Sequence, residues 1–400
     1  MIKPDNINAI KLDSFALFTI TNRFPHIIKE IKSNNILNKE QVVELDIFES
    51  EILKDNLKML TIQNGDYQLW NDILFSHKNS WVEEPFLFVE FYFYRRILEI
   101  LSYFKNRLDP YKPIKQNALL SKSREIITIA NNLNSKCRPI KELLAYNLWS
   151  NRADLSQIQQ SESDLLDSKE KNIIINDTSS VIKFFERKLN QVDILLDNSG
   201  LELSVDLILS YYLLEVNISN NIFLHSKSYP IFVSDAIPDD VLYTLEFFVN
   251  SGNDVLKNIG EKLTSYIKDK IIIIDSDPFW TLPESFLDFN SRLKNHFAHS
   301  DLVIIKGDLH YRRLVEDRYW DYTTNLSKVI EYFPANTLII RALKSELVLG
   351  LTDGVIQKLF NEDPNWLING KYGIIQLNEK QKSILFNVDS LYSENANNTL

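Results

Sequence analysis

The stretch VDILLDNSGLELSVDLIL, residues 192–209, decides the fold class of this sequence. Its apolar run at residues 192–196 is followed by the polar turn DNSG, and a helical pattern then extends over residues 202–214. A buried strand, a polar turn and a covering helix in this order are typical of a parallel sheet. We therefore expect an α/β fold for the C-terminal half of the chain.

The same alternation continues towards the C-terminus. Short runs rich in Ile, Val and Leu recur at residues 222–224, 271–274, 302–305, 337–340 and 373–377. Helical patterns at residues 239–249 and 255–267 lie between the earlier runs. This order predicts a Rossmann-like, mostly parallel sheet with helices on both faces.

The N-terminal half has a different periodicity. As far as about Arg187 the apolar spacing is helical, most clearly at residues 39–60 and 86–108. The polar, acidic segment at residues 161–171 is the best candidate for an exposed connection. We therefore predict a helical domain or cap at residues 1–171 and an α/β metal-binding catalytic domain at residues 172–400.

Composition and charge argue against several classes of partner. The 400 residues carry a formal net charge of −10, which gives no electrostatic reason to bind nucleic acid or an anionic membrane. The N-terminus lacks the apolar core of a signal peptide, and charged residues interrupt the long apolar stretch at residues 85–101. A single cysteine, Cys137, forbids an internal disulfide and suits a reducing compartment. We expect a cytoplasmic protein.

Acids and bases follow the apolar runs at the points where strands should end. In open α/β sheets, ligands bind outside the carboxyl ends of the strands. The residues concerned are Asp197 and Asn198 after the first run, Asp235 after residues 231–233, Asp308 after Lys306 and Gly307, and Arg341 and Lys344 after residues 337–340. Carboxylate and amide oxygens suit a hard divalent cation, and Arg or Lys opposite them suits a phosphate. This combination indicates metal-assisted phosphoryl chemistry.

Several other sites lack their sequence motifs. The nine glycines form neither G-x-G-x-x-G nor G-x-x-x-x-G-K-[ST], so a conventional dinucleotide or Walker-type site is excluded. There is also no H-x-x-x-H spacing and no G-x-S-x-G elbow. Zinc-protease and α/β-hydrolase interpretations therefore have no support.

Six segments in a fixed order resemble the metal-dependent damage-control phosphatases, also called the domain of unknown function 89 family. The resemblance is to the eukaryote-type, acidic-residue methyltransferase-like branch that includes sugar-phosphate phosphatases. The segments are residues 18–25, WVEEPFLFVEFYFYRR at 81–96, LWSNRADLS at 148–156, DNSGLELSVD at 197–206, residues 225–235 and KGDLHYRRL at 306–314. They cover most of the chain, so the resemblance is specific.

The resemblance implies a set of site residues. The family's metal triad corresponds to Asp197, Asn198 and Asp235, the same residues that the strand ends selected. It implies catalytic roles for Asp197 and Asp308, with Asp308 as acid or base, while attack by water or by a carboxylate stays open. The implied substrate-binding residues are Arg23, Glu90, Asn151, Glu202, Asp308, Leu309, His310, Tyr311, Arg312, Arg341 and Lys344. Three departures from the family pattern, at His310, Ala342 and Glu346, bear on substrate choice.

Two of these residues also have structural interpretations. Glu90 lies in an aromatic helix, where a buried ion pair between helices is as consistent as a substrate contact. Asn151 belongs to an Asn-Arg-x-Asp stretch that more often forms a capping and interhelix network than a ligand contact.

The expected function is hydrolysis of a small phosphate monoester by a divalent-metal enzyme. Mn²⁺ or Ni²⁺ is the favoured ion, Co²⁺ and Mg²⁺ are compatible, and the partner is a small phosphorylated metabolite. The alternatives are an S-adenosylmethionine-dependent protein carboxyl methyltransferase acting on glutamate, and a non-catalytic sugar-phosphate-binding protein. The methyltransferase lacks a glycine-rich nucleoside loop after the first strand, and the binding protein would be indicated by a broken triad.

Overall fold

The computed structural model describes residues 2–78, 80–135, 140–150 and 170–380. Asn151 and residues 161–169 of the predicted connection lie outside the described residues. The strands of the sheet are β1 (Ile173–Asn176), β2 (Leu189–Leu195), β3 (Ser219–His225), β4 (Ile272–Asp275), β5 (Leu302–Lys306), β6 (Thr337–Ala342) and β7 (Gly373–Asn378).

These strands form one sheet in the order β1-β7-β6-β5-β2-β3-β4. β2 pairs in parallel with both β3 and β5, and β4 and β6 extend the parallel region on either side. β7 runs antiparallel to β6, and β1 pairs in parallel with β7. The predicted mostly parallel α/β sheet is confirmed, although the sequence patterns did not reveal β1.

Helices precede the sheet and cover both of its faces. The earlier helices are α1 (Phe15–Phe18), α2 (Phe24–Asn34), α3 (Lys39–Leu53), α4 (Tyr67–Phe75), α5 (Phe86–Ile100), α6 (Tyr103–Asn106), α7 (Lys112–Ser121), α8 (Ser123–Ser135) and α9 (Ile140–Trp149), with a π-helical turn at Thr19–Arg23. The later helices are α10 (Thr178–Phe184), α11 (Leu201–Glu215), α12 (Pro238–Val249), α13 (Asp254–Lys268), α14 (Ser291–Ala298), α15 (Gly307–Leu314), α16 (Leu326–Val329) and α17 (Asp353–Glu362), with 3-10 turns at Pro278–Thr281 and Phe286–Asp288.

Adjacent strand residues face two different hydrophobic cores. Along β2, Leu195 belongs to a buried cluster with α2 to α6 and α14 to α17, whereas Ile194 belongs to a cluster with α7 to α13. This alternation follows from the period of two in a strand. The N-terminal helices therefore share both cores with the sheet, and the division at residues 171 and 172 stays a prediction.

Two long predicted helices end earlier than their apolar patterns suggested. α3 stops at Leu53 rather than residue 60, and α5 stops at Ile100 rather than residue 108. Asp55 and Ser102 both adopt positive φ angles, 52° and 55°, which a right-handed helix cannot contain. Neither break carries the Gly or Pro that would have indicated it, although apolar residues continue beyond both.

Candidate functional site

The strand order creates a crevice between β2 and β5. From β2 the chain builds outward through β3 and β4 on one side, and it then returns to add β5 and β6 on the other side. Parallel sheets bind ligands at such a switch point, outside the carboxyl ends of the two strands. Asp197 follows β2 and Gly307 follows β5, so both residues lie at this position.

Gly307 packs directly against the carboxylate of Asp197. Its φ is +78°, and a Cβ added to it would lie 2.0 Å from Asp197 Oδ2. A side chain is therefore excluded by both backbone conformation and contact. The glycine of the Lys-Gly-Asp segment allows the β5 turn to approach the β2 loop.

The three predicted metal ligands lie in two loops that pair with each other. Asn198 and Asp235 form an isolated antiparallel bridge, and the Ala236 amide donates to the Asp197 carbonyl at 2.9 Å. The segment before Asp235 is a loop rather than the predicted strand end, and Phe232 within it has a φ of 65°. The structure nevertheless brings Asp235 to the end of β2, as the sequence analysis expected.

Glu202 joins this group through the amide of Asn198. The Asn198 Nδ2 atom donates to Asp197 Oδ2 at 2.8 Å and to Glu202 Oε2 at 2.9 Å. The amide oxygen, the atom that would ligate a cation, accepts from Ser234 Oγ. Asp197, Glu202 and Asp235 are all buried, so three carboxyl groups share one small volume.

The electrostatics of this group fit a cation. Burial and the neighbouring Glu202 and Asp235 raise the pKa of Asp197 well above its usual value. Burial also raises the pKa of Asp235 to about 6, despite the Lys227 ammonium nearby. Asp235 Oδ2 is buried and makes no hydrogen bond of good geometry, although Lys227 Nζ lies 3.3 Å away. The charges of Lys227 and Lys344 do not offset the burial of these carboxyl groups, so a divalent ion suits the donor set chemically.

Lys227 and His310 form a buried pair beside Asp235. Lys227 Nζ lies 3.3 Å from Asp235 Oδ2 and 3.0 Å from His310 Nε2. Burial and the charges of Lys227 and Arg313 hold the pKa of His310 well below its usual value, so its ring is neutral. Lys227 lies in one of the six segments that resemble the family, at residues 225–235, but the resemblance implied no role for it.

A second lysine, Lys306, forms a buried ion pair with Glu202. Lys306, the last residue of β5, donates to Glu202 Oε1 at 3.1 Å and to Asp206 Oδ1 at 2.9 Å, and all three side chains are buried. Lys306 therefore pairs with carboxylates.

Asp308 connects the β5 turn to the loop after β6. Its Oδ1 accepts from Arg341 Nε at 2.9 Å, from Ser345 Oγ at 3.1 Å and from the Lys344 backbone amide at 3.2 Å. Burial alone would raise the pKa of Asp308, but Arg341 and Arg312 hold it below its usual value. Asp308 is thus ionised, and it fixes the start of the loop that carries the Lys344 side chain.

Arg312 and Glu90 are paired with each other inside the protein. Arg312 donates to both carboxylate oxygens of Asp317 at 2.8 Å and also binds Glu90. Burial raises the pKa of Glu90 despite the Arg312 and Arg23 charges. This is the ion pair between elements that the sequence offered as an alternative to a substrate contact.

The remaining predicted substrate residues are distributed unevenly. Leu309 is buried in the core, and Tyr311 Oη accepts from the Leu349 amide at 2.9 Å beneath the Arg341 guanidinium. Arg23 is exposed, with its guanidinium 5.8 Å from the Phe15 ring centroid. Lys344 is half-buried, its backbone amide donates to Asp308 Oδ1 at 3.2 Å, and its charge lowers the pKa of Asp197.

A separate cluster was missed by the sequence analysis. Asp193, His225 and His296 bring potential ligand atoms within 4.8 Å of one another, the one such group of His, Cys, Asp or Glu in the described part of the chain. Its signal was Asp193 itself, a charged residue in the middle of an apolar strand. His225 and His296 come from distant segments, so no local spacing could reveal them.

No helix in the described ranges combines the length and apolar character needed to cross a membrane.

The family model "Damage-control phosphatase ARMT1-like domain" matches residues 19–359.

Relatives named "Damage-control phosphatase ARMT1" are similar along nearly their whole length. The Xenopus laevis protein is 31% identical, with 94% of this chain and 99% of the relative covered. The Danio rerio protein is 29% identical, with 96% and 98% covered, and the Homo sapiens protein is 28% identical, with 94% and 98% covered. A solved structure of a DUF89 family protein from Pyrococcus horikoshii is 14% identical, with a TM-score of 0.48 and 88% and 95% of the two chains covered. Since the family model spans most of the sequence, the chain belongs to the family of the damage-control phosphatase ARMT1-like domain.

Proposed function

We propose that this protein hydrolyses small phosphate monoesters such as sugar phosphates, with a divalent cation held by Asp197, Asn198 and Asp235. The phosphatase names of its relatives supply the reaction class. The observation that carries the site is the pairing of the β2 loop with the Asp235 loop at the switch point, which brings acidic and amide ligands together. A cation bound there would polarise the phosphoryl group and activate the attacking group.

Lys344 is the residue that we assign to the phosphate. Its charge acts on Asp197, and its ammonium group can neutralise charge on the transferring oxygens. Asp308 holds the Lys344 backbone in place through its Oδ1 atom. Because Asp308 is ionised, it can accept a proton but has none to donate. We therefore assign it the role of a general base or of a residue that positions the Lys344 backbone.

Arg312 and Arg341 are better suited to positioning than to substrate contact. Arg341 is fully buried and donates to Asp308, to Ser345 and to the Leu347 carbonyl. Arg312 is occupied by Asp317 and Glu90. Their charges nevertheless stabilise the ionised Asp308, and through it they shape the phosphate side of the crevice.

Mn²⁺ or Ni²⁺ is the ion that we propose, with Co²⁺ and Mg²⁺ as compatible ions. Two carboxylates and an amide oxygen suit a hard divalent cation such as Mn²⁺ or Mg²⁺, and the family resemblance supports Mn²⁺ or Ni²⁺. The substrate is a small phosphorylated metabolite in the cytoplasm. The single cysteine supports a reducing compartment.

A substrate panel tests the proposal. Metal-free protein is supplied with Mn²⁺, Ni²⁺, Co²⁺ or Mg²⁺ and tested on sugar phosphates for released phosphate, beside an assay of methyl transfer from S-adenosylmethionine. We expect metal-dependent phosphate release and no methyl transfer. Methyl transfer without phosphate release would replace the proposal with the alternative function, and binding without turnover would indicate a sugar-phosphate-binding protein.

A further inference from the structure

Asp193, His225 and His296 form a buried cluster below the crevice, on the side of the sheet that packs against α2 to α6 and α14 to α17. Asp193 lies in the middle of β2, His225 ends β3, and His296 belongs to α14. His225 Nε2 lies 2.7 Å and His296 Nε2 lies 2.5 Å from the same atom, Asp193 Oδ1. The Asp193 and His225 side chains are fully buried, whereas 17% of the His296 side chain is exposed.

We propose that Asp193, His225 and His296 are the ligands of a second cation site, which takes a borderline transition metal ion such as Zn²⁺ in place of the protons that now join them. Imidazole nitrogen with one carboxylate oxygen is a donor set that zinc favours. The proposed site in the crevice, formed by Asp197, Asn198 and Asp235, offers only oxygen ligands. The two sites would therefore select different ions, and the inference does not depend on the proposed phosphatase activity.

Residues around the cluster already orient its donor atoms. His225 Nδ1 lies 3.1 Å from Asp275 Oδ2, and Asp275 is in turn bound by Arg292. A metal-bound histidine usually donates its other ring N–H to a carboxylate in this way. The second oxygen of Asp193 accepts from Gln191 Nε2 at 2.8 Å and from Ser300 Oγ. Each protein ligand except His296 thus has a partner that would remain when a metal ion binds.

The distances between the ligand atoms also show how far the side chains must move for a zinc ion to bind. Ligand atoms around a tetrahedral zinc ion are about 3.3 Å apart, given zinc bonds of about 2.0 to 2.1 Å. The present separations of 2.5 and 2.7 Å are hydrogen-bond distances, so each ring nitrogen must move away from Asp193 by about 0.6 to 0.8 Å. His296 can make this movement because it lies at the edge of the cluster on a helix of 8 residues.

The alternative is a hydrogen-bonded network that never binds metal. In that case both rings keep protons on Nε2, and the cluster joins β2, β3 and α14 through hydrogen bonds to Asp193. The two states differ in one measurable respect. Metal binding must release protons, so zinc affinity should fall as the pH is lowered, whereas a purely protonated network has no affinity to lose.

The test uses the full chain, freed of metal by a chelator and titrated with Zn²⁺ alone against a chromophoric competitor. His296→Gln removes one ligand, His299→Gln is the matched control on the exposed end of the same helix, and Asp235→Asn removes a ligand of the crevice. We expect the His299→Gln and Asp235→Asn variants to bind zinc at the cluster as the unmodified chain does. His296→Gln should bind at least tenfold more weakly.

X-ray absorption of the zinc-loaded unmodified chain provides a measurement that needs no variant. We expect the spectrum to show scattering from two imidazole rings bound to the zinc ion. In a separate thermal unfolding experiment, zinc should raise the melting temperature of the His299→Gln variant but not that of the His296→Gln variant. Equal zinc affinity in the His296→Gln and unmodified chains would overturn the proposal. It would also fail if zinc binding were lost in Asp235→Asn, since the ion would then occupy the crevice.

Discussion

Asp235 has a buried carboxylate oxygen that makes no hydrogen bond of good geometry and lies 3.3 Å from Lys227 Nζ, which makes it the most direct probe of the proposed cation site. Asp235→Asn keeps the size of the side chain and leaves the backbone bridge to Asn198 in place, but removes an anionic ligand. We expect lost phosphate release and weakened Mn²⁺ binding, with a circular dichroism spectrum like that of the unmodified chain. A variant that binds Mn²⁺ and turns over normally would show that Asp235 is not a ligand.

Chelation examines the same site without a mutation. EDTA should abolish phosphate release by the unmodified chain, and added Mn²⁺ should restore it, because the buried carboxyl groups of Asp197 and Asp235 then regain their counter-charge. Activity that persists in a preparation shown to be metal-free would contradict the mechanism.

Lys344 tests the phosphate side of the crevice. Lys344→Ala should raise KM and lower kcat without releasing the metal ion. A charge-assisted hydrogen bond is worth about 1.5 to 3 kcal/mol, so kcat/KM should fall by roughly ten- to a hundredfold. Lys371→Ala is the control, since Lys371 is an exposed lysine that pairs with Asp363.

The competing interpretation of Lys344 is a structural ion pair with Glu346 or another nearby carboxylate. It predicts a lower melting temperature with nearly unchanged kinetics. Measuring both quantities on one preparation separates the two interpretations, and that second outcome would remove Lys344 from the active site.

At the scale of elements, the turn from β5 into α15 must pass close to the β2 loop. Gly307→Ala would place a methyl group 2.0 Å from Asp197 Oδ2 in a backbone conformation with φ of +78°. We expect lower metal affinity, lost activity and a reduced melting temperature. Gly354→Ala is the control, because Gly354 lies in α17 with nothing within 4 Å of an added Cβ. It should leave both properties unchanged or slightly raise stability.

The elements that the sequence predicted well are those with a local signal. Residues 192–209 carry strand, turn and helix in one continuous pattern, and this pattern placed Asp197 and Asn198 correctly at the end of β2. The Asp235 loop was assigned to the site for the wrong structural reason, since its short apolar run is irregular backbone with Phe232 at positive φ. Its position is fixed by the bridge to Asn198, a long-range contact that no local pattern contains.

Long-range pairing also explains what the sequence could not assign. The partner of Arg312 is Glu90, which is more than two hundred positions away in the chain, and the His225 and His296 rings meet at Asp193 from separate elements. Charge in an apolar pattern indicated that Glu90 needed a partner, and the same signal was present, but not used, at Asp193. Only the fold identifies which partners they have.

At the scale of the whole molecule, buried ion pairs and hydrogen bonds connect the N-terminal helices to the residues around the crevice. Lys115 of α7 donates to the Asp235 carbonyl at 3.4 Å and pairs with Asp240 at 2.6 Å and Asp109 at 2.7 Å. Glu90 of α5 similarly meets Arg312 of α15. The site is therefore coupled to the stability of the whole chain, since breaking a buried pair leaves an uncompensated charge.

The pair formed by Asp308 and Arg341 gives this coupling a pH dependence. Because the pKa of Asp308 is lowered in the folded protein, the carboxylate contributes stability that is fully present above its unfolded pKa of about 3.9. That stability is lost as the pH falls through the lower, folded pKa. Acid should therefore weaken the pair by protonating Asp308, with Arg341 left buried and charged.

Asp308→Asn imitates the protonated state at every pH. At about pH 7 the variant should be less stable than the unmodified chain by roughly 3 kcal/mol, since the Arg341 side chain is fully buried and loses its anionic partner. Urea unfolding midpoints measured from about pH 7 down to about pH 3 should show this difference shrinking only below about pH 4, where Asp308 of the unfolded chain begins to bind a proton. Ser345→Ala removes a neutral donor to the same oxygen, so its destabilisation should change much less with pH. A constant difference between Asp308→Asn and the unmodified chain across the whole range would mean that Asp308 is not held ionised by Arg341.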